Sequence, residues 1–162
     1  MRSAQKSAQP WLVSHWPEND VSLYYVEEGT VLLRVGAEEA TFCGWGKPWL
    51  DYGYSPSMAY YDIDGDGLNE LMVSAQTTRG ETFSDELHVI TLEARPWADH
   101  VFRAEDIVPM AQGITVDYVK FILGDGITLL IGSYGPTGDH RTKVSFDGER
   151  FHLGEITFVA GV

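Results

Sequence analysis

Apolar and polar residues alternate in short runs along much of this chain, a period-two pattern that predicts β-strands. Residues 21–26 and 30–35 are two β-rich runs, separated by Glu27-Glu28-Gly29, which reads as a short hairpin loop. A third run, residues 40–43, leads into a segment rich in glycine, proline and aromatic rings. Two more strands are expected at 71–75 and 87–92, joined by the polar stretch 76–86. The length and polarity of that connection predict a functional loop rather than a tight turn. The last third returns to strands at 115–121, 128–132, 142–146 and 150–158, with Asp147-Gly148 as a hairpin signal. Only residues 97–110 carry a helical pattern, a loose apolar face of Ala98, Val101, Phe102, Ile107 and Val108 that is interrupted by Pro109. The expected fold is therefore mainly β: an antiparallel β-sandwich or partial propeller-like β-sheet domain with at most one short helix.

The chain also echoes itself. Residues 63–74 align with 122–133, and both copies hold Gly-Asp-Gly followed by an apolar strand. The second copy has Phe121, Leu123 and Leu129 where the first has Asp62, Asp64 and Glu70. A fainter third copy starts at Glu28-Gly29-Thr30. Blade-like repetition and a chance likeness of two Asp-Gly turns both account for the pattern.

The length of 162 residues fits one domain, expected over 13–162 after a flexible segment at 1–12. A formal charge of −13 and a pI near 4.6 argue against nucleic-acid binding, which needs clustered Lys and Arg, and against adsorption to anionic membranes. No run of eighteen apolar residues predicts a transmembrane helix. The polar stretch Met1 to Pro10 lacks the apolar core of a signal peptide and is expected to be a linker behind a removed targeting segment. The single cysteine, Cys43, forbids an internal disulfide and is expected to be a small buried hydrophobe beside Phe42 and Trp45.

The densest chemistry lies at residues 62–71, Asp-Ile-Asp-Gly-Asp-Gly-Leu-Asn-Glu-Leu. Two like charges about 4 Å apart repel by roughly 4 kcal/mol at an effective dielectric near 20, so such a loop calls for a cation. Asp62, Asp64, Asp66 and Glu70 would supply carboxylate oxygens and Leu68 its backbone carbonyl, with Gly67 at the sharp turn. Hard oxygen ligands at this spacing point to calcium. An EF-hand is excluded by Val73 at the twelfth position and by the strand that follows in place of a helix.

A calcium loop that feeds straight into a strand resembles the integrin-type Asp-x-Asp-x-Asp-Gly loop of FG-GAP and VCBS repeats, which form propeller blades. Residues 59–93 are most similar to secreted bacterial proteins of that kind, in which the loop and strand precede a Gly/Thr-rich segment and a Glu-Leu-His-Val strand. Here these are Thr78-Arg79-Gly80-Glu81-Thr82 and Glu86-Leu87-His88-Val89. The resemblance implies a secreted or cell-surface, calcium-stabilised binding module without enzymatic activity, monomeric, with a protein or glycan partner. A complete propeller needs at least four blades, more than this chain holds.

Other constellations are weaker. The five histidines show no zinc spacing, and His88, inside an apolar strand, is expected to be a satisfied sheet residue rather than a ligand. No Gly-x-Ser-x-Gly elbow is present. The aromatics Trp45, Trp49, Tyr52 and Tyr54 flank the acidic loop and are either loop packing or a platform for a sugar or peptide. The alternative function is therefore a small secreted carbohydrate-active hydrolase that uses Asp or Glu beside these rings.

Overall fold

The computed structural model describes residues 9–46, 55–79, 82–133 and 138–161. Among them, thirteen strands form three antiparallel sheets. The first sheet runs β1 (Trp11–Trp16), β2 (Val21–Glu27), β3 (Thr30–Val35) and β4 (Glu38–Phe42). The middle sheet runs β5 (Ser57–Tyr61), β6 (Glu70–Arg79), β7 (Thr82–Thr91) and β8 (Ala98–Phe102). The third runs β9 (Tyr118–Gly124), β10 (Gly126–Gly132), β11 (Gly138–Phe146) and β12 (Phe151–Leu153), and β13 (Thr157–Ala160) pairs with the first half of β11. Strands β1–β4, β5–β8 and β9–β12 are meanders, in which sequence neighbours become hydrogen-bonded neighbours through short connections, and β13 alone returns to a strand other than its predecessor.

Two cores hold the sheets face to face. Leu71, Val73 and Ile90 of the middle sheet pack with Val21, Leu23, Val31 and Leu33 of the first. On the opposite face, Met72, Leu87, Val89 and Phe102 pack with Val119, Phe121, Ile127, Leu129 and Ile131 of the third. Burial on both faces explains why residues 71–75 and 87–90 are nearly unbroken apolar runs. The outer sheets bury one face and alternate: Val31 and Leu33 of β3 are buried, while Leu32 is half-buried and Arg34 exposed. Each large apolar side chain fully buried stabilises the fold by about 1.5–3 kcal/mol, and the middle and third sheets supply most of them. The result is sandwich packing applied twice, and none of the described sheets closes into a barrel.

The sequence pattern errs in four places. The described part of the stretch 76–86 is strand rather than loop: β6 runs to Arg79 and β7 starts at Thr82, with Thr77 opposite Ser84 and Ala75 opposite Glu86. Its polar residues lie inside the sheet because they find partners: Thr77 Oγ1 donates to the Ser84 carbonyl and Ser74 Oγ to Asp85. Residues 98–102 form β8 rather than helix, paired along β7 so that Phe102 stacks on Phe151 in the core. Among the described residues only α1 (Ala104–Ile107) is α-helical, followed by a 3-10 turn at Val108–Met110. Strands β1 and β5 lie outside every predicted run, and β1 starts at Trp11, inside the segment expected to be flexible. Cys43 is exposed at the end of β4 and not a core residue.

The internal echo has a counterpart in the fold. The acidic loop joins the first two strands of the middle sheet, and Gly124-Asp125-Gly126 joins the first two of the third. The fainter copy at Glu28-Gly29 joins the second and third strands of the first sheet, so it does not occupy the equivalent place.

Candidate metal centre

The loop between β5 and β6 is shaped by its own carboxylates. Asp62 accepts from the N–H groups of Asp66 (3.1 Å) and Gly67 (2.9 Å), and Asp64 Oδ1 also accepts from Asp66 N–H (3.1 Å). Asp66 Oδ1 takes the N–H of Leu68 at 2.8 Å, which ties Leu68 into the loop with its side chain exposed. Gly65 and Gly67 sit at φ +76° and +88°, the left-handed conformation that lets the chain fold back on its oxygens. The turn between β11 and β12 lies beside it, so that a Cβ placed on Gly148 would stand 3.8 Å from Asp64 Oδ2.

Glu70 opens β6 and is held there by its pairing with Tyr61. Its side chain is wholly buried. Oε2 accepts from the Ile63 N–H at 2.9 Å, whereas Oε1 has no hydrogen-bond partner. One ligand oxygen each from Asp62, Asp64, Asp66 and Glu70 lies within 4.8 Å of the others. These four carboxylates could therefore hold a metal ion, and an all-oxygen set suits a hard one.

The charge state of the cluster follows from its surroundings. Burial works against ionised Asp62, but N–H donors from Gly67, Gly65 and Asp66 outweigh it and keep the carboxyl below its ordinary range. Asp64 is raised by burial and by the neighbouring Asp66 and Asp62. Glu70 is pushed up to about 7, first by burial and then by the charges of Asp64, Asp66 and Glu93. An unpaired buried carboxylate costs several kcal/mol. The cluster holds more negative charge than its hydrogen bonds compensate.

A second set of charged groups, which sequence patterns missed, occupies the opposite face of the middle sheet. His88 is completely buried, with Nε2 donating to Glu86 Oε1 at 2.8 Å and Nδ1 donating to Asp99 Oδ1 at 2.9 Å. Ionised carboxylates only accept, so both ring nitrogens carry protons and His88 is an imidazolium. Hydrogen bonds to Asp99 and Glu86 raise its pKa despite the opposing effect of burial. Arg103 Nη2 donates to Glu86 Oε1 at 3.0 Å and to the Gly44 carbonyl. Glu86 is buried, which opposes its charge, yet His88 and Arg103 bring its pKa down to about 2. Trp45 stacks on the His88 ring at 3.5 Å and donates Nε1–H to Asp99 at 2.8 Å. Gly46 N–H also points at the Glu86 carboxylate, and a Cβ there would lie 2.8 Å from Glu86 Oε2, a closeness that only glycine tolerates.

Of the expected aromatic platform, Trp45 is therefore a buried cover over His88, only 3% exposed, and not a surface for a ligand. Trp49, Tyr52 and Tyr54 lie outside the described residues. His88 is the satisfied sheet residue the sequence predicts. The signal for the network was Glu86-x-His88, two charged groups on the same face of a strand that interleaves them with the apolar Leu87, Val89 and Ile90. Among the described residues no helix is long and apolar enough to cross a membrane. No protein-family profile, curated protein or solved structure matches this chain.

Proposed function

We propose that this chain is a calcium-binding β-protein of the FG-GAP/VCBS type, in which the ion staples the β5–β6 loop to the head of β6. The observation that carries the proposal is Glu70, a wholly buried carboxylate with one oxygen unpartnered, beside three aspartates. A divalent cation would satisfy that oxygen and offset the repulsion among the four acids. Calcium is preferred over magnesium because it accepts irregular oxygen cages, whereas magnesium demands near-octahedral geometry and keeps its waters.

The ion's role is structural, and the protein acts as a binding or interaction module at the cell surface or after secretion, with a protein or glycan partner. This part rests on the resemblance of residues 59–93 to secreted repeat proteins. Extracellular modules of this kind bind calcium with Kd values of about 10⁻⁴–10⁻³ M, and the same range is expected here.

The test is thermal unfolding with calcium and with chelator, alongside calorimetric titration. A ligand that binds only the folded chain stabilises it by roughly 2.7 kcal/mol at a hundredfold excess over Kd. For a chain of this size that is a rise in Tm of about 5–10 °C. Asp64→Ala should abolish the rise. Identical melting curves with calcium and with chelator would overturn the proposal.

A further inference from the structure

The acidic loop belongs to the middle sheet by sequence, but it touches the third. Ile63, inside the loop, packs its side chain against the core that the middle and third sheets share. Its N–H is the group that Glu70 Oε2 accepts at 2.9 Å, so the buried acid of the cluster holds the chain where that core begins. Beside the loop lies the turn between β11 and β12, flanked by Phe146 and Phe151 of the same core. The side-chain direction of Gly148 in that turn points at the cluster: a Cβ built there would meet Asp64 Oδ2 at 3.8 Å.

The turn is tied in place by its own aspartate. Asp147 Oδ1 accepts the N–H groups of Glu149 and Arg150, both at 2.8 Å, and Oδ2 accepts from His152 at 2.9 Å. The Asp147 N–H donates to the Arg150 carbonyl at 3.1 Å. Gly148 adopts φ +99°, a conformation that side-chain-bearing residues resist, and any long side chain there would grow into the carboxylates. The third sheet therefore presents bare backbone to the acidic loop.

A cation in the loop needs more oxygens than the loop supplies. Calcium gathers about six to eight. One oxygen from each of the four carboxylates, with the Leu68 carbonyl, falls short of that. Glu70 Oε1, wholly buried and without a hydrogen-bond partner, marks the inner side of the ion position. Asp64 Oδ2, facing Gly148, marks the outer side. Building on the calcium reading above, we infer that the ion site is shared between two sheets, with the β11–β12 turn closing it from the third. The backbone of the turn completes the oxygen shell, directly or through a bound water. Calcium then fastens the third sheet to the middle one, and its removal loosens that turn while leaving the first sheet unchanged.

Amide hydrogen exchange on the full chain, with calcium and with chelator, tests the inference. At a calcium concentration about tenfold above Kd, the Glu149 and Arg150 amides should exchange about tenfold more slowly, since an ion bound only to the closed turn suppresses its opening by that factor. The Gly36 amide, held by the Asp20 carbonyl in the first sheet, should exchange at the same rate in both. Asp147→Ala removes the acceptor that shapes the turn but none of the four carboxylates, and calorimetric titration should show calcium bound about tenfold more weakly. Calcium that binds the wild-type chain without slowing residues 149 and 150 overturns the inference and leaves the loop staple standing. So does an Asp147→Ala variant that binds calcium as tightly as wild type. If that variant does not fold, the exchange measurement on the wild-type chain decides alone. A wild-type chain that binds no calcium overturns both readings together.

Discussion

The two faces of the middle sheet handle clustered carboxylates in opposite ways. Toward the first sheet, Glu86 and Asp99 are matched by the imidazolium of His88 and the guanidinium of Arg103, so the cluster sums to neutrality from within. Toward the third sheet, Asp62, Asp64, Asp66 and Glu70 stand together with backbone N–H groups as their only hydrogen-bond donors among the described residues. The first cluster balances its charges as the chain folds, and the second has no cationic partner among the described residues. The contrast makes the acidic loop more than a polar turn: the protein demonstrably pairs its buried acids where it supplies the cations itself.

The sharpest way to break the comparison is to make the first cluster resemble the second. His88→Ala would leave Glu86 and Asp99 buried without their shared donor, and removing one partner of a buried ion pair typically costs about 3–5 kcal/mol. Chemical denaturation should register that loss in calcium and in chelator alike. A loss that calcium restores would mean the two clusters are not independent.

Glu70→Gln approaches from the other side and should change sign with conditions. The amide keeps an acceptor for the Ile63 N–H but carries no charge. In chelator at neutral pH the variant should melt above wild type, and in saturating calcium below it. A variant that melts below wild type in both would argue that the buried charge of Glu70 is not the liability described above.

The pH dependence separates the clusters without mutation. Glu86, ordinarily near 4.5, is held at about 2, so its contribution is present above pH 4.5 and disappears as pH falls toward 2. His88 is held above its ordinary 6.5, so its contribution is full below 6.5 and is lost as pH rises through the folded value. Glu70 runs the other way. Its carboxyl is raised from 4.5 to about 7, so the metal-free fold is progressively destabilised between those values. The gap in Tm between calcium and chelator should therefore widen from pH 4.5 to 7, and a constant gap would count against Glu70 as a ligand.

The smallest effect expected is that of Trp45→Phe, which retains a ring over His88 but removes the donor to Asp99. A single neutral-to-charged hydrogen bond of this kind contributes about 1.5–3 kcal/mol at most, less any water that replaces it. The variant should be mildly destabilised with its calcium response intact.

The acidic loop was legible in the sequence because its four carboxylates fall within nine consecutive residues and their spacing carries the geometry. The neutral cluster was not, because Trp45, Glu86, His88, Asp99 and Arg103 come from three separate segments that only the sheet pairing brings together. The same distinction runs through the fold. Strands β2, β3 and β10 were readable from their own alternation, whereas β5 and β8 owe their conformation to the neighbours they pair with. The polar half of the β6–β7 hairpin looked like a loop because buried hydrogen bonds, which leave no hydrophobic pattern, stand in for apolar side chains there.

The meander order of the sheets bears on how the chain is made. Every strand finds its partner within a few dozen residues, so each sheet can pair soon after it leaves the ribosome. The middle sheet, apolar on both sides, would nevertheless stay sticky until β9 to β12 emerge to cover it. The acidic loop would gain its neighbour at Gly148 only in that final step. A chain stalled or cleaved before β9 should thus aggregate through the exposed faces of β6 and β7 even when the first two sheets have formed.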